Sequence, residues 1–250
     1  RVLFDHYLSD SLTKKYAATD TPHVRMTERC IAPEKLTKID VITSSHMHTD
    51  HFDVETLLPL FENNPRAWFL FTGANEADAK ARLGARLPES AVGMSDGDST
   101  FGGLWEARGL IAVHNELERD EAGRTRFMGF WMRIGPFRLY HSGDTIWHDD
   151  IVRDLRKHGC DIALVPINGN KPERRVAGNL NGTEAAALAK AVNAGIAIPH
   201  HFEMFEFNTE PPDEFAAACS RLSQPCKVLR CGERFTFQAE SLSAPAEEDS

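Results

Sequence analysis

Three histidines and an aspartate fall within six residues in "HMHTDH", as His46, His48, Asp50 and His51. All four side chains carry atoms that bind borderline divalent cations, and no cysteine among them forces a choice of zinc. The cluster leaves "IDVIT", an apolar run that reads as a buried strand. Side chains two apart on an extended segment project to the same side. His46 and His48 can therefore grip one ion together, while Asp50 and His51 aim at a second position as the chain turns towards a helix.

Two cations need more donors than these four side chains supply. Three other predicted strands end in suitable residues: "LIAVHNE" in His114, "LYHSGDT" in Asp144, and "IAIPHHFEMF" in His200 and His201. Strand ends on one edge of a layered fold can assemble a shared site from distant sequence. The chemistry such a site supports is hydrolysis. Water shared by two dications ~3.5–4 Å apart has its pKa lowered from near 15.7 toward ~7, which supplies a nucleophile at neutral pH.

The elements that must position these residues follow from periodicity and turn signals. "RVLFD" reads as a strand, followed by a long polar loop from about His6 to Pro33. "IDVIT" and "RAWFLFT" are strands, with a helix from Val54 between them and the helix "NEADAKARLGARL" after them. A β-rich block runs from Ala91 to His141 through "LWEARGLIAV", "RFMGFWMRI" and "FRLYHS", the last two joined by a Gly-Pro turn. Helices "HDDIVRDLRKHG", "TEAAALAKAVNA" and "PDEFAAACSRL" then alternate with strands "DIALVPI" and "IAIP", before two short strands ending at "RFTFQ". Helices flanking a central β block predict an α/β protein built as a four-layer αββα sandwich. One domain over 1–238 is expected, with a disordered acidic tail over 239–250.

Composition narrows the partners. A formal net charge of −9 with no basic run speaks against nucleic acid, and no apolar run approaches the ~18 residues of a membrane span. Five cysteines without a Cys-x-x-Cys pair suggest neither a zinc ribbon nor a disulfide framework. A reducing, cytoplasmic setting is expected. A small-molecule substrate is the expected partner.

The run His-x-His-x-Asp-His, with a later single His, an Asp in "SGD" and a final His after a strand, resembles the metallo-β-lactamase superfamily. Within it, "IDVITSSHMHTDHFD", "LYHSGDT", "CDIALVPINGN", "IPHHFEMFEFNT" and "CGERFTF" are similar to the L-ascorbate-6-phosphate lactonase group of metal-dependent hydrolases. The resemblance implies the metallo-β-lactamase type of αββα sandwich, and an opening strand ahead of "RVLFD" that the sequence as given lacks. It implies two divalent metal ions, zinc or manganese first and iron as the further option. His46, His48 and His114 would bind one, and Asp50, His51 and His201 the other, with Asp144 bridging. His201 rather than His200 follows from the group's Pro-x-His pattern, counted from Pro199; His200 becomes a supporting neighbour. It also implies assembly into homo-oligomers.

The expected reaction is hydrolysis of a lactone or ester-like bond in a small, anionic, sugar-phosphate-like substrate, with Asp50 as the catalytic residue that orients water and moves a proton. Lys171, Arg174 and Arg175 in "NGNKPERRVAGNLNG" are the expected substrate contacts, since Arg suits bidentate phosphate binding. The rim "YLSDSLTKKY" and a proton donor at His148 complete the expectation. The competing readings are a phosphodiesterase or nuclease of the same fold, a non-hydrolytic iron redox enzyme, and a regulatory binding module.

Overall fold

The computed structural model describes residues 1–238; the expected acidic tail from Ala239 lies outside the described residues. Four short parallel strands form the first sheet in the order β1 (Val2–Leu3), β2 (Val41–Ser44), β3 (Trp68–Thr72) and β4 (Ala91–Met94). The second sheet has six strands: β5 (Ser99–Gly102), β6 (Trp105–Ile111), β7 (Met128–Ile134), β8 (Phe137–His141), β9 (Ile162–Pro166) and β10 (Ile196–His200). These lie in the order β10-β9-β8-β7-β6-β5, antiparallel from β5 to β8 and parallel from β8 to β10. Strands β6, β8, β9 and β10 consequently run in one direction, so their C-terminal ends share one edge.

The period of two along the strands builds the layers. Val41, Leu70, Met94, Ala107, Met128, Phe130 and Met132 meet between the sheets. Their sequence neighbours point outward: Ile42, Phe69 and Phe71 lie under helices α2 (Val54–Asn63) and α3 (Glu76–Leu83). On the other sheet, Trp131, Tyr140 and Val165 pack under α4 (Asp149–His158), α5 (Gly182–Ala191) and α6 (Asp213–Arg221). Strands buried on both faces need near-continuous apolar runs, as "WFLFT" and "MGFWM" supply. The result is the expected αββα arrangement.

Two expectations change. The polar stretch before Pro33 is not all loop, because Ser11–Tyr16 forms α1, with Leu12 buried. The two closing strands do not form. Cys226 makes a single parallel bridge to Ala197, held by Ala197 N–H to Pro225 O at 2.9 Å and Lys227 N–H to Ala197 O at 2.9 Å. Beyond it, Gly232 at φ 76° and the bond from Glu233 N–H to Arg230 O at 2.8 Å turn the chain away from the sheet edge. "RFTFQ" is left without a strand partner in the described residues.

Helices α5 and α6 meet at Gly182, where a Cβ would lie 2.6 Å from the backbone nitrogen of Phe215. Backbone cannot yield as a flexible side chain can. Gly182→Ala should lower stability by roughly 1–3 kcal/mol, read as a lower urea midpoint at unchanged slope; an unmoved midpoint would show that the two helices are not so closely apposed.

Candidate metal centre

The donors gather where strands end. His46 follows β2, His114 follows β6, Asp144 follows β8 and His201 follows β10, while Asp50 and His51 precede α2. Three groups of three donors have their ligand atoms within 4.8 Å of one another: His46, His48 and His114; Asp50, His51 and His201; and a third that joins Asp5 to His46 and His51. The first two match the expected ligand sets. Asp144 lies between the groups, with Oδ2 3.6 Å from His114 Nε2 and 3.4 Å from His201 Nε2, and Oδ1 3.3 Å from His51 Nε2. Asp50 Oδ2 lies 3.5 Å from His51 Nε2 and 3.4 Å from His201 Nε2. All seven residues of the expected ligand set therefore meet in one place.

The loop carrying Asp144 is pinned from two sides. Thr145 Oγ1 accepts from Val113 N–H at 2.9 Å and Ile146 N–H donates to Val113 O at 2.7 Å, which ties Asp144 to the end of β6. Gly143 has φ 59°, and a Cβ there would lie 2.6 Å from Ser45 Cβ. The glycine of "SGD" is thus what lets the Asp144 loop approach the His46 loop. His201 itself sits at φ 59°, a left-handed conformation unusual for a non-glycine residue and characteristic of strain held at functional sites.

Hydrogen bonds fix which ring nitrogen faces the centre. His114 Nδ1 lies 2.9 Å from Gly178 O, and a carbonyl can only accept, so the Nε2 lone pair faces Asp144. Ser45 gives its hydroxyl proton to Asp5 and accepts from His46 Nδ1 at 3.0 Å, which frees His46 Nε2. His51 Nδ1 donates to Asp5 Oδ2 at 2.7 Å. His46 Nε2, His51 Nε2 and Asp144 Oδ1 are buried, and apart from the 3.3 Å approach of the last two to each other none has a hydrogen-bond partner. Buried polar atoms without partners cost about 1–3 kcal/mol each, and here they converge. Imidazole and carboxylate donors in this arrangement fit a divalent cation, with Asp5 as the carboxylate that orients His51 from behind.

Electrostatics point the same way. Burial holds the pKa of His46 well below its usual value, and the neighbouring His51 adds to this, so His46 is neutral and able to ligate. Burial opposes charge on His201, yet Asp144 and Asp50 override it and carry its pKa up to about 10. His51 is likewise raised well above its usual value: burial opposes this, and Asp144 and Asp50 outweigh it. In the metal-free protein, protons on these two rings supply the positive charge that the buried carboxylates require, and a cation must displace them.

The remaining expected residues divide. His200 lines the cavity but belongs to none of the donor groups: its Nε2 is 3.3 Å from Ser142 Oγ, and its ring stacks on His141 at 4.8 Å, which stacks in turn on Phe4 at 5.1 Å. Lys171 and Arg174 do not line the cavity at the centre, because both are bound to Glu210. Arg174 also donates to Asn168 O at 2.5 Å and Thr209 O at 2.9 Å, a brace between two loops. Arg175 does line the cavity, and pairs with Asp20 at 2.6 Å. His148 caps α4 by accepting from Asp150 N–H at 3.2 Å and lies off the cavity. From the rim segment, Leu12, Lys15 and Tyr16 face the cavity.

Asp5, Ser45 and Phe127 were not anticipated. Phe127 packs against His46 at 5.1 Å and His114 at 5.3 Å, walling one side of the first group. The acidic residue closing "RVLFD" was the available signal for Asp5, since a carboxylate directly after an apolar strand needs a partner. Asp5→Asn keeps the shape but removes the charge behind His51, and should weaken metal affinity ~10–100-fold in competition with a chelating dye; unchanged affinity would sink this role. The raised pKa of His201 gives a second test. Its contribution to stability is complete below the unfolded value near 6.5 and lost as pH rises towards about 10. Chelator-treated protein should lose urea resistance across that window, and metal-loaded protein should not; identical pH profiles would contradict the displacement of protons by metal.

With the geometry in hand, comparison with known proteins places the chain. The family described as the beta-lactamase superfamily domain matches residues 1–202. A UPF0173 metal-dependent hydrolase of Opitutus terrae is 28% identical over 244 residues, covering 93% of this chain and 90% of its own. A Salmonella gallinarum protein named as a probable L-ascorbate-6-phosphate lactonase is 22% identical, over 77% of this chain and 57% of its own length. The crystal structure of an isothiocyanate hydrolase from Delia radicum gut bacteria shares the fold with a TM-score of 0.74 at 16% identity, covering 95% of this chain and 92% of that one. The family match spans the strands and every donor named above, so the chain belongs to the beta-lactamase superfamily, with the metallo-β-lactamase fold.

Proposed function

We propose that the chain is a metal-dependent hydrolase that cleaves a lactone or ester-like bond in a small, anionic substrate. One observation carries this reading: His51 Nε2 and Asp144 Oδ1, buried and without an aligned hydrogen-bond partner, belong to the wall of a cavity of about 590 Å³ that His48, Asp50, His114 and His201 also line. That volume suits a small molecule. Divalent cations held by the two groups and Asp144, zinc or manganese by the donor types, would acidify water and polarise the scissile carbonyl.

The chain's own residues do the rest. Asp50 is partly exposed to the cavity, and His51 and His201 hold its pKa well below the usual carboxylate range against the effect of burial. An ionised carboxylate at this position is placed to accept a hydrogen bond from the attacking water and orient it. Anion recognition falls to Arg175 and Lys15 at the mouth. The pair of Arg175 with Asp20 is exposed on both sides, at 64% and 73%, so it is weak enough for a substrate anion to compete. Neutral histidines and two carboxylates around two dications leave the centre net positive, which draws an anion despite a chain charge of −9.

Chelation should abolish hydrolysis of lactone and ester substrates, and added Mn²⁺ or Zn²⁺ should restore it. His201→Ala should lose metal by elemental analysis and at least ~10²-fold in activity, whereas His200→Ala should retain its metal. Full activity in chelated protein of verified metal content would end the metal-dependent reading.

A further inference from the structure

Opposite the donors, the cavity is walled by rings. Tyr16, His23, Phe205 and Phe207 all line it. His23 stacks on Tyr16 with centroids 4.4 Å apart and meets Phe205 at 5.1 Å and Phe207 at 5.2 Å, both tilted towards edge-on. These are the separations and tilts that aromatic quadrupoles favour. Phe205 is buried, while Tyr16, His23 and Phe207 keep part of their surface towards the cavity.

The wall is built and rigid. Met26 N–H donates to Met204 O at 2.9 Å and Glu206 N–H to Val24 O at 2.9 Å, so residues 24–26 and 204–206 form a short antiparallel ladder. Arg25 locks it from behind, bound to Asp10 Oδ1 at 2.9 Å and Ser9 O at 2.7 Å, with its guanidinium over the Tyr7 and Phe205 rings. Thr13 Oγ1 donates to His23 O at 2.8 Å and ties α1 to the same segment. The His23 ring is fixed too, since its Nδ1 lies 3.1 Å from Thr21 O. A preorganised aromatic wall binds without the entropy cost of ordering its side chains.

We propose that Tyr16, His23, Phe205 and Phe207 form a specificity subsite that takes a flat, π-bearing ring of the substrate, next to the bond being hydrolysed. This rests on the hydrolytic reading above and narrows its substrate. Half-exposed ring faces in a cavity wall offer dispersion and edge-to-face contacts, and few hydrogen bonds. A saturated substituent would make the dispersion contact without the edge-to-face one, which disfavours it. An unsaturated or aromatic ring would complete the array. Lys15, whose ammonium lies 5.1 Å over the Tyr16 ring, and Arg175 border the wall, so a charged group on the same molecule faces the mouth.

The test compares γ-phenyl-, γ-cyclohexyl- and γ-methyl-γ-butyrolactone as substrates of the metal-loaded enzyme. The reactive bond is the same in all three. Calorimetric binding of the matching lactams, which are not hydrolysed, runs in parallel. We expect kcat/KM to favour phenyl over methyl by about tenfold or more and over cyclohexyl by about threefold, with lactam affinities in the same order. In His23→Leu and Phe207→Leu, which keep bulk and lose the ring, the phenyl-to-cyclohexyl ratio should fall to about one. If neither these lactones nor their analogues carrying a carboxylate are turned over but phenyl lactam still binds selectively, the hydrolytic reading fails and the subsite stands. If phenyl is no better than methyl in both rate and affinity, the subsite is wrong; the unmutated enzyme alone decides this should a variant misfold.

Discussion

A carboxylate buried among imidazoles is the constraint on which this molecule turns. Asp144 is 3% exposed, with three histidine nitrogens arranged 3.3–3.6 Å from its carboxylate oxygens. A charge so placed is tenable only beside compensating positive charge. Protons on His51 and His201 provide it in one state and a cation in another, and both require the same close geometry. The surrounding backbone is shaped to that need. Gly143 permits the approach of two loops, Thr145 staples one of them to β6, and His201 is held in a left-handed conformation that a relaxed chain would leave.

The rings around Asp144 are held in their orientations by a set of acceptors on neighbouring segments. Asp5 takes protons from both Ser45 and His51, and Gly178 O takes one from His114. Asp5 stays ionised because His141 and His51, with hydrogen bonds from His51 and Ser45, outweigh its burial. An ionised Asp5 makes His51 the better ligand, since charge behind one nitrogen raises the basicity of the other. One carboxylate thus tunes the centre from outside, while Asp50 and Asp144 act within it.

What could be read from the sequence follows the range of the interactions. "HMHTDH" is local, so spacing alone announces it. His114, Asp144 and His201 were legible because each ends an apolar run, and the fold collects strand ends. For Asp5 the segment "RVLFD" signals only that its closing carboxylate needs a partner, and not that the partner is His51 across 46 positions. Lys171 and Arg174 misled for the opposite reason: clustered cations look available until Glu210, distant in sequence, is found bound to them. The closing strands failed because "RFTFQ" has strand composition but a left-handed glycine upstream steers it off the sheet. The aromatic wall draws on residues 16, 23, 205 and 207, which share no periodicity.

The segment after β10 joins the two halves of the site. It carries His201 among the donors and, four residues on, Phe205 in the aromatic wall. Left-handed residues at His201, Glu203 and Asn208 set its path, and Glu203 N–H is closed onto Thr209 Oγ1 at 2.8 Å. Arg174 then clamps its far end through Thr209 O and Glu210, so the cations of the neighbouring loop act on the shape of the cavity without lining it. A displacement of this one segment would shift a donor and a ring together. On the proposed reading, a substrate contact and a metal donor share this one segment, which Arg174 braces at its far end.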